Sequence, residues 1–391
     1  MGAVLAGFRR DIEASMGIET EQLVCSVCGA RYPGTEPVWL CACGGLLDLD
    51  FQPVFDRKKI ESRPPGLWRY REMLPQVADE HLLTLGEGST PLVRIPLGAR
   101  PVLVKQDQLF PTGSYKDRGA VLMISKALAL GVRRVVEDSS GNGGCAVAAY
   151  CARAGIACDI YVPADNSPGK LAQIAMYGAR LVKVPGTRED TAAAAWEAAQ
   201  HTYYASHSWN PYFFQGTKTW AYEVCEQLGW RAPDTVVVPA GNGTLLLGAY
   251  LGFVDLIRAG VIGRLPKIVA GQREACAPLA LGFPQGLGAP AGVTQQPPPA
   301  EGIAIAQPTR GKQIMAAVRE SGGTFVTVAE AEIKDALMEV IRMGFYIEPT
   351  TAAVIAGAKC YAATAPAGEE IVTVFTGNGL KATEKMVKFV A

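Results

Sequence analysis

One lysine of this chain lies where the physics of helices disfavours a positive charge. Lys116 follows an extended apolar stretch (102–105) and a Pro-Thr-Gly turn (111–113), and it precedes a helix that we predict over 119–130. The free amide groups at the start of a helix carry partial positive charge, which disfavours a cation beside them. A lysine held there is suited to react as a neutral amine or as an imine with a carbonyl compound. The alternative is an ordinary surface lysine.

Two glycine loops join predicted strands to predicted helices. The loop 139–144 follows a strand predicted over 133–138, and the loop 241–244 follows one predicted over 235–239. Backbone amides at such a junction, together with the open amides of the next helix, bind anions. Each loop alone could be an ordinary turn between strand and helix, but two anion sites would suit two charged ligands. A third glycine loop, 376–381, again follows a predicted strand.

These segments resemble those of a known enzyme family. The stretch 111–119, Pro-Thr-Gly-Ser-Tyr-Lys-Asp-Arg-Gly, resembles a specific signature of the pyridoxal-phosphate (PLP) enzymes of fold type II, the tryptophan-synthase-β superfamily. Within that superfamily the chain is most similar to the threonine synthases. The resemblance extends from about residue 86 to the end of the chain, and its other segments, in family order, are 86–92, 210–219, 348–353 and 376–381.

The resemblance implies which residues hold the cofactor. Lys116 would bind PLP covalently and, once released by the amine of the substrate, would move the proton of the substrate's α-carbon. The other cofactor contacts that it implies are Asn142 at the phenolic oxygen, Gly241, Asn242, Gly243 and Thr244 at the phosphate, and Thr376 at the pyridine nitrogen. A neutral hydroxyl at the pyridine nitrogen makes the ring a weaker electron sink, which favours elimination and replacement at Cβ or Cγ over transamination.

The resemblance also implies an activity and a set of substrate contacts. The activity is that of a PLP-dependent carbon–oxygen lyase, which converts O-phospho-L-homoserine and water to L-threonine and phosphate. The predicted substrate contacts are Ser139, Ser140, Gly141, Asn210 and Lys218. We predict a structural role for the three histidines, because none lies in a matched catalytic motif; they are His81, His201 and His207.

Departures from the family pattern leave other functions open. Gly143 stands where the family has a threonine, and Phe110 stands where it usually has an asparagine. The alternatives are a cysteate-synthase-like β-replacement on O-phospho-L-serine and a serine/threonine deaminase. An NAD-dependent dehydrogenase is a more distant alternative, because the segment 141–146, with Asp165 about twenty residues later, fits a loose dinucleotide-binding pattern. The intact lysine disfavours a catalytically silent relative.

Two cysteine pairs near the N-terminus have the spacing of metal ligands. Four thiolates on two tight turns can meet a tetrahedral zinc ion. The second pair has one intervening residue where the strongest pattern has two, so the alternative is a ribbon that keeps its shape without metal. We predict one structural zinc ion, remote from the chemistry, held by Cys25, Cys28, Cys41 and Cys43.

Strand-like and helix-like segments alternate from residue 102 onward, as a parallel sheet with crossover helices requires. The predicted strands are 101–105, 133–138, 157–162, 180–184, 235–239, 267–271, 324–328 and 371–375. The predicted helices include 119–130, 144–154, 168–177, 189–200, 217–228, 243–258, 310–320, 330–343 and 351–363. The stretch 282–300, rich in Gly, Pro and Gln, is predicted to be a loop.

The predicted fold class is α/β, PLP fold type II: two open, twisted, mainly parallel sheets flanked by helices, with a small N-terminal Cys-rich, zinc-ribbon-like segment. We predict an N-terminal segment with this ribbon over 1–50. A large PLP-binding domain is predicted over 51–104 plus 207–391, and a small domain inserted in it over 105–206.

The composition disfavours several classes of partner. Lysine plus arginine (37) balance aspartate plus glutamate (37), which gives no sign of a nucleic-acid or anionic-membrane partner. No apolar run approaches the roughly 20 residues of a membrane span, and the first residues lack the basic region and the long apolar run of a signal peptide. Ten cysteines fit a reducing compartment. We therefore predict a cytoplasmic protein, and the resemblance implies a homodimer that acts on a small amino-acid substrate.

Overall fold

The computed structural model describes residues 21–98, 100–164, 168–286, 288–292 and 303–387. The first 20 residues of the predicted N-terminal segment, residues 293–300 of the predicted loop and Asp165 lie outside this part of the chain. Within it, none of the helices combines the length and the apolar composition of a membrane span.

The strands of the described residues form three sheets. Their bounds are β1 Gln22–Cys25, β2 Arg31–Pro33, β3 Leu47–Asp50, β4 Leu92–Leu97, β5 Arg100–Lys105, β6 Arg134–Glu137, β7 Ala157–Pro163, β8 Arg180–Val184, β9 Tyr203–Tyr204, β10 Thr235–Pro239, β11 Lys267–Arg273, β12 Thr324–Val328 and β13 Ile371–Val374. One sheet has the order β2-β1-β3 and is antiparallel. The second has the order β12-β11-β10-β13-β5-β4 and is parallel except for the edge strand β4. The third, β8-β7-β6-β9, is parallel.

Helices cover both faces of the six-stranded sheet. The α-helices are α1 Arg57–Ser62, α2 Lys116–Ala129, α3 Asn142–Ala154, α4 Pro168–Met176, α5 Arg188–Ala199, α6 Pro211–Thr217, α7 Thr219–Gln227, α8 Thr244–Arg258, α9 Pro278–Gly282, α10 Gly311–Glu320, α11 Glu330–Arg342, α12 Pro349–Thr364 and α13 Thr383–Val387. Alternate residues of β10 face different cores: Val236 packs in the core that holds α8 and α10, and Val237 packs in the core that holds α11 and α12. Every residue of β10 is buried, as the apolar runs of a doubly covered parallel sheet require.

The predicted fold class is confirmed, and the predicted strands from 101 onward are present with shifts of one or two residues at their ends. The predicted helix 217–228 is wrong at its start. The chain forms α6 from Pro211 and then α7, with Lys218 as the junction between them. The edge strand β4 and the ribbon strands were not predicted. The division into domains stays a prediction.

Two side chains, Trp39 and Arg310, are among those that join the cysteine ribbon to the rest of the protein. The ring of Trp39 makes edge contacts with Tyr204 and Trp196 at centroid distances of 5.0 and 5.2 Å. The buried guanidinium of Arg310 donates to Asp48 Oδ1 at 2.6 Å and to the carbonyl of Leu47 at 2.8 Å. Both contacts hold the ribbon beside the four-stranded sheet and the start of α10.

The carboxyl ends of the parallel strands carry the predicted site loops. In an open parallel sheet, ligands bind outside these ends because the loops and the helix starts collect there. Loop 139–144 follows β6, loop 241–244 follows β10 and loop 376–381 follows β13. Residue 116 begins the helix that comes after β5.

Candidate active site

Lys116 reaches the glycine loop that the sequence predicts as its neighbour. It is the first residue of α2, and its Nζ donates to Thr244 Oγ1 at 2.9 Å. The hydroxyl of Tyr115 lies 2.7 Å from the same oxygen. The Nζ also lies 5.5 Å from the ring centroid of Phe213. The lysine is therefore held between an aromatic ring and the first residue of α8.

The loop 241–244 has the shape of an anion cradle. Gly243 adopts the left-handed conformation (φ +70°), and a methyl group on it would overlap the side chain of Ile314. No side chain caps the first amides of α8, which begins at Thr244. These amides, with the partial positive charge of the helix start, are free to bind a phosphate.

Thr376 lies at the end of β13, where two loops meet. Its hydroxyl is 2.8 Å from the hydroxyl of Thr351, and its carbonyl accepts from the amide of Tyr115 at 3.0 Å. The amide of Gly377 donates to Thr351 Oγ1 at 2.9 Å. These contacts fix a neutral hydroxyl beside the lysine segment.

Asn142 is joined to a glutamate to which the sequence analysis assigned no role. Its Nδ2 donates to Glu348 Oε1 at 2.6 Å, while its Oδ1 is fully buried without a partner. Lys170 forms an ion pair with the other carboxylate oxygen of Glu348 at 3.1 Å. Glu348 lies before Pro349, a pattern typical of a helix start, and that signal could have marked it.

The loop 139–141 leads into α3, whose first amides have no side-chain cap. The amide of Gly141 donates to Ser139 Oγ at 3.3 Å. A methyl group on Gly144 would overlap the carbonyl oxygen of Ser139, so only glycine allows this close approach. The half-buried Ser139, Ser140 and Gly141 thus lie at the open start of a 13-residue helix, as an anion site requires.

A buried histidine–glutamate pair lies beside this loop. His207 Nδ1 is 2.7 Å from Glu137 Oε1, and both side chains are buried. Burial raises the pKa of Glu137 well above its usual value. Burial, with Lys116 and Arg188 nearby, lowers the pKa of His207 well below its usual value. Both shifts favour the neutral form of the pair. No motif of the sequence marks it.

The side chains of two predicted substrate-binding residues, Asn210 and Lys218, make hydrogen bonds to other groups than the site residues described above. Asn210 caps α6, and its Nδ2 donates to the hydroxyl of Tyr203 at 2.8 Å. Lys218 is buried and forms an ion pair with Asp255 at 2.8 Å. Both polar groups have structural partners inside the protein, and their role at the substrate stays a prediction without support from these contacts.

The four N-terminal cysteines converge at one point. All four Sγ atoms lie within 4.8 Å of one another. The Cys25–Cys43 and Cys28–Cys41 sulfur distances are both 3.5 Å. Amides of 27 and 28 donate to the sulfur of Cys25, as in knuckle turns that hold thiolates. The cluster has the shape of a closed tetrahedral site.

Comparison with known proteins decides the family. The profile of the family described as "Pyridoxal-phosphate dependent enzyme" matches residues 83–377. A threonine synthase of Methanocaldococcus jannaschii is 34% identical over 379 residues, which cover 93% of this chain and 94% of the relative. The chain belongs to the threonine synthase family of pyridoxal-phosphate-dependent enzymes. The threonine synthase of Methanosarcina acetivorans is 34% identical and covers 93% of each chain, and that of Synechocystis is 36% identical over 80% of this chain and 82% of the relative.

Solved structures show the same fold. The processed form of threonine deaminase isoform 2 from Solanum lycopersicum has a TM-score of 0.65 at 22% identity, over 90% of this chain and 95% of that one. A pyridoxal-phosphate-dependent aspartate racemase has a TM-score of 0.64 at 24% identity, over 74% of this chain and 90% of that one. This member of the threonine synthase family therefore has PLP fold type II. The match over 83–377 also removes the dehydrogenase interpretation.

The residues present fit the cofactor of this family, pyridoxal phosphate. Ser114 Oγ and Asn142 Oδ1 are buried polar atoms without a partner, and both belong to the segments around Lys116. Buried polar atoms normally have partners, so these two indicate a missing polar ligand. The uncapped amides at the start of α8, next to Gly243, add a place for the phosphate group.

Proposed function

We propose that this chain is a lyase that converts O-phospho-L-homoserine and water to L-threonine and phosphate. The observation that carries the proposal is the extent of the match, since relatives named threonine synthase align with more than nine-tenths of this chain and of their own length. A match of this extent includes the helices and loops that shape a substrate pocket as well as the cofactor-binding segments.

The described residues support a division of roles. Lys116 is the group that would bind PLP and carry the α-proton of the substrate, and its contact with Thr244 orients its Nζ. The amides of 241–244 would hold the cofactor phosphate, and Thr376 would contact the pyridine nitrogen. Asn142 would bind at the phenolic oxygen, with its free Oδ1 as the acceptor of the phenolic hydrogen. When bound, PLP supplies an electron sink for the charge that develops on the substrate.

The start of α3 is the proposed site for the substrate's own anion. The amides after Gly141 are open, and the hydroxyls of Ser139 and Ser140 lie in the same loop. A substrate with a carboxylate and a phosphate needs a second anion site besides the one that the cofactor phosphate occupies. The loop 139–144 supplies it at a second helix start, separate from loop 241–244.

One observation supports a second candidate. The ring of His207 lies where a side chain at Gly143 would point, which narrows the pocket at this loop. A narrower pocket would suit a substrate one carbon shorter, as in a cysteate-synthase-like replacement of the phosphate of O-phospho-L-serine by sulfite. A serine/threonine deaminase would use the same cofactor-binding residues, so the assay must also test for deamination.

A phosphate-release assay tests the proposal. The purified holoenzyme is offered O-phospho-L-homoserine, O-phospho-L-serine with sulfite, and L-serine or L-threonine. Phosphate and L-threonine formed from the first substrate support the proposal. Phosphate from the second alone favours the β-replacement, and ammonia from the third alone favours the deaminase. Lys116→Ala serves as the inactive control in every assay.

The cysteine cluster is proposed as a structural zinc site. Zn–S bonds of about 2.3 Å in a tetrahedron place sulfurs roughly 3.8 Å apart, close to the 3.5 Å of the two shortest pairs. The four thiolates would leave no open position for water, and the cluster packs on the ribbon side of the fold. The zinc would therefore stabilise the ribbon rather than take part in the reaction.

We also propose that the chain forms a homodimer in the cytoplasm. Its support is the resemblance to the family and the ten cysteines, none of which pairs in a disulfide among the described residues. Light scattering of the purified holoenzyme measures the mass in solution. A mass near twice that of one chain supports the dimer, and a mass of one chain contradicts it.

A further inference from the structure

We propose that His207 is a specificity-determining residue of the substrate site. Its Nε2 donates a hydrogen bond to the anionic side-chain group of the substrate, beside the loop that contains Ser139 and Gly143, and Glu137 orients the ring. This assignment rests on the proposed function, because it names the group that binds the substrate's phosphate in that reaction.

The first support is the space around Gly143. A methyl group built on this glycine would lie 3.0 Å from His207 Nδ1 and 3.0 Å from Ser139 Oγ. These distances are tighter than ordinary van der Waals contact, so a larger residue at 143 and the present ring compete for the same volume. The family's threonine hydroxyl is absent here, and an imidazole stands beside the position it would occupy.

The second support is the state of the ring. His207 is only 7% exposed, and its one side-chain hydrogen bond among the described residues joins Nδ1 and Glu137 Oε1. Among the described residues Nε2 has no partner, yet it is not one of the fully buried unpaired nitrogens. The Nε2 edge of the ring therefore keeps some exposed surface, through which a ligand can reach it. A nearly buried polar atom without a protein partner is available to bind a ligand.

The third support is the identity of the donor. Burial favours the uncharged form of each group. When the Glu137 carboxyl is protonated, it donates to Nδ1 across the 2.7 Å contact, which leaves the ring hydrogen on Nε2. In this form the ring presents a directed donor at Nε2.

The backbone around His207 is held from both sides. The amide of residue 205 donates to the carbonyl of Val136 at 2.9 Å. The guanidinium of Arg310 donates to the carbonyls of Ser208 and Trp209 at 3.1 and 3.0 Å. The ring is thus positioned before any ligand binds, which is what specific recognition requires.

Nuclear magnetic resonance of nitrogen-15-labelled histidines measures this contact directly. The chain has three histidines, so each ring can be assigned by substitution. In the holoenzyme we expect His207 to show the tautomer with hydrogen on Nε2, and we expect its Nε2 signal to shift on titration with inorganic phosphate. The signals of His81 and His201 serve as internal controls and should stay fixed. A fixed His207 signal at saturating phosphate overturns the proposal.

Variants separate a substrate contact from a merely structural role. His207→Asn should raise KM for the phosphorylated substrate and weaken phosphate binding about tenfold or more, while the cofactor absorbance band is retained. The exposed His201→Asn is the matched control and should change neither. Glu137→Gln still donates to Nδ1 and should keep phosphate affinity within a few-fold, whereas Glu137→Ala should lose it. Equal behaviour of the two Glu137 variants contradicts the orienting role.

A pair of substitutions that exchanges a small and a large side chain tests whether residues 143 and 207 compete for the same volume. Gly143→Thr alone should lower affinity for phosphate because it collides with the ring. Gly143→Thr combined with His207→Ser should recover a large part of that loss, since the smaller residue frees the space. If the double variant loses as much phosphate affinity as the two substitutions lose together when made separately, the proposal is contradicted.

If wild-type enzyme fails to release phosphate but the His207 signal still shifts with phosphate, the proposed function fails while this contact stands. If phosphate is released while the signal stays fixed, the contact fails and the proposed function stands.

Discussion

The amide of Asn142 and the carboxylate of Glu348 are joined by a 2.6 Å hydrogen bond across 206 residues of sequence. Asn142 begins α3, the helix that follows strand β6 of the four-stranded sheet. Glu348 precedes α12, which packs on the six-stranded sheet. The bond therefore links the two sheets at the place where the cofactor is expected. It also leaves Asn142 Oδ1 buried and free, and so fixes the orientation of the amide.

Glu348→Ala should weaken binding of PLP to the apoprotein about tenfold or more, because Asn142 loses the acceptor that orients it. Glu348→Gln keeps an acceptor and should have a smaller effect. Titration of apoprotein with PLP, followed by absorbance, measures both. The surface variant Glu339→Ala is the control, since Glu339 pairs with Lys359 on the outside of α11 and α12. Equal affinities for wild type and Glu348→Ala would show that the bond is dispensable.

The covalent attachment point is expected at Lys116. Borohydride reduction of the holoenzyme followed by peptide mapping should find the label on the peptide that contains this residue. Lys116→Ala should abolish both the label and the visible absorbance band. Lys183→Ala, a change at an exposed lysine on β8, should leave both intact. A label on any other lysine contradicts the assignment.

The zinc proposal predicts about one zinc ion per chain after purification without chelator. Cys25→Ser should reduce that content towards zero and lower the melting temperature, because a closed site loses one of its four ligands. Cys360→Ser is the control, since this cysteine lies on α12, outside the cluster. Protein without metal that melts at the same temperature with and without Cys25 would mean that the ribbon is stable on its own.

Gly243→Ala should weaken PLP binding and destabilise the fold for two reasons. Its left-handed backbone costs about 1–2 kcal/mol for a residue with a side chain, and the added methyl group overlaps Ile314. Gly260→Ala has the same backbone conformation (φ +69°) but open space around it. The difference between the two variants in denaturant unfolding and in PLP affinity therefore isolates the steric part. Equal losses would show that the cradle tolerates a side chain.

The His207–Glu137 pair should shape the pH dependence of stability. In the unfolded chain the two groups titrate near their usual values of 6.5 and 4.5. In the folded protein the pKa of Glu137 is raised and that of His207 is lowered, so each group keeps its neutral form over a wider pH range than in the unfolded chain. Between pH 4.5 and 6.5 the two states hold the same number of protons on this pair. Below pH 4.5 only the unfolded state protonates His207, and above pH 6.5 only the unfolded state has lost the proton of Glu137.

It follows that this pair makes its largest contribution to stability between about pH 4.5 and 6.5. The contribution falls as the pH drops below that window, and it also falls as the pH rises from 6.5 towards the raised pKa of Glu137. The matched reference is the double variant His207→Asn/Glu137→Gln, which cannot titrate at these positions. Unfolding free energies at pH 4, 5.5 and 7.5 should show the wild type losing stability against this reference at both ends. A constant difference would contradict the pKa directions.

The strands of the parallel sheets could be predicted because their signal is local. β10 and β13 are short β-branched runs that end at glycine loops, and burial on both faces allows no polar interruption. β4 was missed because Arg94 and Pro96 interrupt its apolar pattern. Such residues are tolerated there because β4 is an edge strand with one side free of a ladder.

The break between α6 and α7 could not be predicted because its cause is distant. A methyl group on Gly216 would overlap the carbonyl of Arg118, and one on Gly252 would overlap the carbonyl of Lys218. These close approaches join segments that are far apart in sequence, and Lys218 at the junction keeps helical backbone angles, so no local breaker marks the end of α6. The same limit applies to the site, where the partner of His207 is 70 residues away and that of Asn142 is 206 away.

The ion pair between Arg310 and Asp48 also bears on where a minimal catalytic fragment can begin. A chain that starts after the ribbon would lose two of the acceptors of this guanidinium and the aromatic contact that Trp39 makes over Tyr204. The same guanidinium braces the carbonyls of the two residues that follow His207. Truncation at the edge of the ribbon would therefore remove part of the scaffold behind the substrate pocket.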